Sequence, residues 1–406
     1  MAVTIKEALE LIYKNTKKTK IKILPIESAL GYIIAQDVVA THNLPPYDNS
    51  AMDGFAVKLE DASKCVKVKH TIFAGDNSHE KLLVNNAIKI MTGAKIPDGC
   101  ECIVPQEDTS ECDGGVILPE SLKLNNHIRF CGEDIKSGDI LLQDGDKLQA
   151  HQITLLASQG ISHVKVYKKP RVALFASGSE LKMHFESVEE YQLYNTNTPA
   201  LLSRAIEFGC EVDFIGTARD TLEELKEHVK SALDSDIIIT SGGVSVGDAD
   251  FTKEAFGDFG MQTYFDKVQI KPGKPTTFGC IGDTMVLNLP GNPLAASLNF
   301  ELFGQSLILA MSGIKTKYIN TIDTKMKKDY KQKKGRISLV PGSFDGSSFE
   351  VCDKFAPGMV SPLGYANSFI MVDADVSEIK KDTNVKVIST RFDFTCEIQK
   401  ELTTKA

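Results

Sequence analysis

What this sequence of 406 residues lacks narrows its identity before any motif does. Its first ten residues, MAVTIKEALE, carry a lysine and two glutamates where a secretory signal needs an apolar core, so a secreted protein is not expected. The most apolar later stretch, Pro293 to Met311, is interrupted by Asn299, Glu301 and Gln305, which argues against a membrane span. There is no excess of positive charge: 46 Lys and Arg face 54 Asp and Glu, for a net charge of −8. Such a chain repels phosphate backbones and anionic membranes as a whole, so neither nucleic acid nor membrane is an expected partner, and any bound anion must be captured locally. There is no CxxC pair, and nine cysteines, an odd number, are spread from Cys65 to Cys396. That argues against a disulfide framework or a zinc ribbon; even Cys100, Cys102 and Cys112 read as small hydrophobes before metal ligands. Internal repeats and low-complexity tracts are absent. A cytoplasmic protein of roughly two to four domains is the expectation.

The organisation changes along the chain. Thr4 and Glu7 form a capping box ahead of Ile5, Ala8, Leu9 and Ile12, which share one face of a helix. From Lys20 to Lys169, short β-rich runs such as CVKVKHTIF and ECIVPQED are punctuated by Gly, Pro, Asn and Asp, the pattern of small mixed and β units. Between Arg171 and Gly313 the apolar runs RVALFAS, EVDFIGTA and DIIITS alternate with amphipathic helical patterns, which predicts parallel strands joined by crossover helices, a doubly wound α/β domain. The remainder returns to short strands and predicts a small β domain. The expected division is 1–20, 41–51 and 135–170 in a mixed N-terminal domain, 21–40 and 52–134 in an inserted β-rich domain, 171–313 in the α/β domain, and 314–406 in the C-terminal β domain.

In an open α/β sheet, ligands bind beyond the carboxyl ends of the strands. After DIIIT come Ser241, Gly242, Gly243, Val244, Ser245, Val246, Gly247, Asp248, Ala249 and Asp250, leading into a helical pattern. Glycines let backbone amides approach an anion, and the helix N-terminus adds a favourable dipole. Asp248 and Ala249 stand where a P-loop needs Lys and Ser or Thr, which disfavours an ordinary nucleoside triphosphatase. Asp248 and Asp250 are candidate Mg²⁺ ligands offsetting phosphate charge, or caps of the following helix. Lys267, Gln269 and Lys271 lie at alternate positions ahead of Pro272, Gly273 and Lys274. If that run is extended, its lysines converge on a polyanion; the alternative is a solvated edge strand. Pro290 and Pro293 in LPGNP shape a turn into a helix, serving a site or architecture alone. The segment PPYDNSAMDGFAV around Asp48 and Asp53 serves a site or builds turns. The basic run from Lys325 to Arg336 reads as a solvated loop.

Taken together, PPYDNSAMDGFAV, IMTGAKIPDG, IRFCGEDI, FASGSEL, SGGVSVGDAD, QIKPGKP and LPGNP resemble the MoeA family of molybdopterin molybdenumtransferases, to which the C-terminal domain of gephyrin is related. The resemblance implies a four-domain, elongated homodimer. It implies cleavage of adenylyl-molybdopterin in the presence of molybdate and Mg²⁺, with release of AMP and insertion of molybdenum at the dithiolene. By motif, the functional residues it implies are Asp53, Thr92, Arg129, Asp134, Glu180, Asp220, Asp250, Lys267 and Lys271, with Pro290 and Pro293 as shaping residues and Ser361 as a looser match. Ser179 stands where the family often has an acid. Further implied partners are a MogA-type adenylyltransferase and molybdoenzymes. Alternative functions are a gephyrin-like scaffold, a MogA-type adenylyltransferase and a CinA-type nucleotide-cleaving enzyme; the PPYDNSAMDG block favours the molybdenumtransferase over a protein that is an α/β domain alone.

Overall fold

The computed structural model describes residues 2–77, 79–243 and 251–391. Its centre is a six-stranded sheet in the spatial order Glu211–Ala218, Arg171–Ser177, Ile237–Ser241, Thr284–Leu289, Thr277–Ile281 and Gln262–Phe265. The first four strands are parallel and the last two join antiparallel. All five residues of Ile237–Ser241 and all six of Thr284–Leu289 are buried, as central parallel strands covered on both faces require. Helices Asn197–Glu207 and Leu222–Ala232 make the crossovers. The chain runs from the strand ending at Ser177 outward to the one ending at Ala218, then returns to the one ending at Ser241. The sheet therefore has a topological switch point between Ser177 and Ser241.

The apolar stretch that opens at Pro293 is the main core helix of this domain. It is long and apolar enough to cross a membrane but is mostly buried, with Leu298, Phe300, Phe303 and Leu307 inside one core cluster.

The N-terminal helix Ile5–Asn15 has the expected capping box, Thr4 and Glu7 bonding reciprocally. Its place differs from expectation. Ile5, Ala8 and Ile12 share the core of the α/β domain, and Tyr13 donates to Ser306 Oγ at 2.9 Å. The segment 21–40 also departs from the inserted-domain assignment. Ile21–Pro25 pairs antiparallel with His163–Tyr167, and Val38–Val39 with Ile140–Leu142, while Ile26, Ile34, Leu142, Leu156 and Val166 share one core. Residues 21–40 thus fold with 135–167. The inserted unit instead starts near Asn49–Ser50, which pairs with Ile128–Arg129, and contains a sheet ordered Cys102–Pro105, Gly54–Val57, Asn86–Ile90, Cys65–Ile72, Gly115–Ile117 and Ser110–Cys112.

That sheet corrects the cysteine reading as well: Cys65 and Cys112 form a disulfide, brought together because Gly115–Ile117 pairs with both their strands. Spacing along the chain carries no trace of this juxtaposition. Cys100 and Cys102 behave as expected, burial pushing their thiols up to about 12 and about 11. Beyond the α/β domain, strands 337–344, 348–351, 322–326, 384–389 and 368–372 pair in sequence, and the last returns to the first, closing a small barrel around Val340, Phe349 and Val387.

Candidate active site

The carboxyl ends of the four parallel strands deliver Gly178 and Glu180, Asp220, Gly242 and Gly243, and Pro290 into one cavity of about 720 Å³. Its floor is held by short hydrogen bonds. Ser177 Oγ donates to Asp220 Oδ1 at 2.5 Å, and the Asp220 amide donates to Ser179 Oγ at 3.1 Å. Ser179 thus holds the Asp220 backbone. Asn197 Nδ2 donates to both Ser241 Oγ and the Gly291 carbonyl at 2.7 Å, tying the glycine loop to the LPGNP turn. Neither Ser177 nor Asn197 stood out in the sequence, where Asn197 is simply one of several polar residues opening a helix.

The two described glycines of the loop are required by space and backbone. Gly242 has φ +97° and a Cβ there would lie 2.2 Å from the Ser177 carbonyl oxygen. Gly243 has φ +67° and its Cβ would lie 2.2 Å from Thr252 Oγ1. That Thr252 hydroxyl, only 2% exposed as a residue, has no hydrogen-bond partner among the described residues. Ser245, Gly247, Asp248 and Asp250 lie outside the described residues.

A second cluster forms in the inserted unit. The segments around residues 44–53, 91–96 and 128–135 are knitted by backbone hydrogen bonds such as Ser50 to Ala94 and Asp134 to Leu44. Asp53 Oδ1 accepts from both the amide and the hydroxyl of Thr92 at 2.7 Å. These bonds, the hydroxyl's first, hold the Asp53 carboxyl below the usual aspartate range. Arg129 pairs with Glu133 at 2.8 Å, so its guanidinium is already engaged by this chain's own acid. Among the described residues, no hydrogen bond or ion pair joins this cluster to the loops of the α/β sheet.

Thr92→Val should move the Asp53 titration up toward the ordinary value, measured by carboxyl NMR. The sign follows from the lowered pKa: Asp53 is ionised at neutral pH, and any stability it contributes is lost only as pH falls through its folded pKa. An unmoved titration would refute control by Thr92.

The run that carries the lysines is not one continuous strand. Val268 makes an isolated parallel bridge with Val3, Ile270–Lys271 pairs with Ile337–Ser338 of the barrel, and the Gln269 side chain between them donates to the Ala2 carbonyl. Lys271 lines a different cavity, of about 820 Å³, between the α/β domain and the barrel; Lys267 and Lys274 do not. The basic run proves to be more than a solvated loop, since Lys328, Lys331 and Lys333 line that cavity too. Lys328 pairs with Glu350 and Lys331 with Glu378. Pro293 and Gly358 line the first cavity, their neighbours Leu294 and Pro357 line the second, and the Leu294 amide donates to the Pro357 carbonyl at 3.0 Å. Pro290 and Pro293 line the first cavity, and Ser361 begins a short helix directly after Val360, which also lines it.

Comparison with known proteins matches residues 3–160 to the MoeA N-terminal region (domain I and II) and 173–310 to a probable molybdopterin binding domain. A molybdopterin molybdenumtransferase of Staphylococcus epidermidis is 32% identical over 96% of this chain and 96% of its own length. The chain belongs to the MoeA family of molybdopterin molybdenumtransferases. A Haemophilus influenzae member is 38% identical over 73% of this chain and 74% of its own. A solved MoeA structure from Pyrococcus horikoshii superimposes with a TM-score of 0.84 at 29% identity, covering 97% of this chain and 100% of that one. This MoeA-family chain is therefore a transferase of molybdenum cofactor biosynthesis, and its multidomain architecture with a central MogA-like α/β domain is the family's.

Proposed function

We propose that this chain takes molybdopterin as its adenylate, uses molybdate as co-substrate, releases AMP and leaves molybdenum on the dithiolene. The observation that carries the reading is the switch-point cavity, where the Gly242–Gly243 backbone and the fixed Asp220 meet Glu180 and the LPGNP turn. A glycine loop at the carboxyl ends of parallel strands suits a phosphate, and the surrounding polar side chains suit the hydroxyl- and amide-rich remainder of a nucleotide or pterin.

Mg²⁺ fits this donor set: the carboxylates lining the cavity, Glu180 and Asp220, are hard oxygen donors, and no thiol or imidazole lines it beside them among the described residues. Among the described residues no three acidic, histidine or cysteine side chains group as a metal site; Asp248 and Asp250, outside the described residues, are proposed as ligands on their position in the sequence motif. Magnesium usually takes only one or two carboxylates plus substrate phosphates. When bound, it would supply neutralisation of phosphate charge. The chain's own residues then divide the work. Gly242 and Gly243 let the loop close on Ser177 and Thr252 at the cavity's edge, where it receives the phosphate, Asn197 and Ser241 hold the loop, and Lys271 presents a cation from the neighbouring cavity to an oxyanion.

The reading stands or falls on whether purified protein given adenylyl-molybdopterin releases AMP only when molybdate is added. AMP release independent of molybdate would favour a nucleotide-cleaving enzyme. Lys271→Ala should raise the half-saturating molybdate concentration about tenfold, the weight of one charge-assisted contact. Lys267→Ala, outside the cavity lining, should change it less. Equal effects of the two would remove Lys271 from direct contact. The site is also proposed to be shared across a homodimer, since Asp53 and the α/β loops stand in separately folded units.

A further inference from the structure

One aromatic residue of the switch-point cavity has a role that neither motif nor family assignment gives it. Tyr194 lines the cavity alongside Leu193 and Leu181, and it is 46% exposed. Its backbone is pinned on both sides: the Leu193 amide donates to the Glu180 carbonyl at 2.9 Å and the Asn195 amide to the Lys182 carbonyl at 2.7 Å. Asn195 is buried and its side chain bonds Thr198 at 2.9 Å and Thr217 at 3.3 Å, so the residue after Tyr194 is anchored to helix Asn197–Glu207 and to strand Glu211–Ala218. Among the described residues the ring meets no other aromatic ring or cation. An exposed ring on a fixed backbone, at an apolar side of a cavity whose floor is polar, fits an amphipathic ligand, anionic at one end and flat at the other.

We propose that Tyr194 is a stacking platform for a planar heterocycle of the substrate, so that it orients the ring while the glycine loop receives the phosphate. This rests on the adenylyl-molybdopterin reading, which supplies two such rings, adenine and pterin. Both share the chemistry that the platform recognises, a flat nitrogen heterocycle.

The test is calorimetric titration of the full chain with AMP alone and, separately, with pterin-6-carboxylate alone. Tyr194→Ala should weaken one of the two about tenfold, which is about 1.4 kcal/mol and within the loss usual for a stacked base. The ring affected identifies which end of the substrate lies against Tyr194. Tyr194→Phe should restore most of the affinity, because the aromatic face is kept, whereas Tyr194→Leu should not, which separates stacking from simple apolar cover. Wild type binding one or both probes, with Tyr194→Ala binding each of them just as well, overturns the platform alone. Wild type binding neither probe overturns the platform together with the reading it rests on.

Discussion

Arg204→Met should destabilise this protein by about 3–5 kcal/mol, the usual cost of stranding a buried charge. Glu301 is 3% exposed in the π-helical turn Phe300–Gly304 of the core helix. Arg204 Nε and Nη2 grip its two oxygens at 2.7 and 2.8 Å. Arg204 also pairs with Glu207 and lies over the Phe208 ring at 4.8 Å. Burial pushes the Glu301 carboxyl up, and the guanidinium opposes that only in part. Without Arg204 the carboxyl rises further. A raised carboxyl favours the folded state below its unfolded pKa and loses that advantage as pH rises, so the deficit of Arg204→Met should be larger at pH 7 than at pH 5. Thermal unfolding at the two pH values measures this, and Arg204→Met combined with Glu301→Leu should recover much of the loss. A deficit that is smaller at pH 7 would show that Glu301 is not the stranded charge. The pair matters to the site because Arg204 and Asn197 share one helix, and Asn197 holds both Ser241 and Gly291.

The same residue shows how unevenly the sequence reveals the molecule. Glu301 was readable as a reason against a membrane span, but its partner 97 positions away was not. Local rules carried well: the Thr4–Glu7 box and the alternation of apolar runs with helical patterns lead straight to the helix and sheet found. Non-local pairings failed. Residues 21–25 belong beside 163–167 because antiparallel partners are chosen by burial across the whole fold, and the intervening insertion hides the pairing. Alternation places side chains on one face only along a continuous strand, whereas in the lysine run Val268 bridges Val3 and only Ile270–Lys271 joins the barrel. At the site, the glycines were legible because a glycine run directly after a strand is a local signal, whereas Asp220 came only from the family resemblance. Asn197 and Ser177 work through hydrogen bonds to distant loops, which composition and spacing do not encode.

Subunits carrying Asp53→Asn and subunits carrying Asp250→Asn, each expected to be inactive alone, should regain activity when they form heterodimers. Asp53 sits in the inserted unit, whose cores around Phe55 and Ile88 are separate from those of the α/β domain. Its carboxyl is held by Thr92 and stays ionised, yet no hydrogen bond or ion pair among the described residues carries it to Asp220 or the glycine loop of its own chain. If both groups serve one reaction, the proposed shared site brings the inserted unit of one protomer to the α/β loops of the other. A two-fold interface does this twice, giving two equal sites in the wild type. In the heterodimer one site receives both damaged carboxylates and the other receives none, so about half the activity per dimer should return. Co-expression with two different affinity tags isolates the heterodimer, and molybdate-dependent AMP release measures it. Verified heterodimers as inactive as both parents would place each complete site within a single chain.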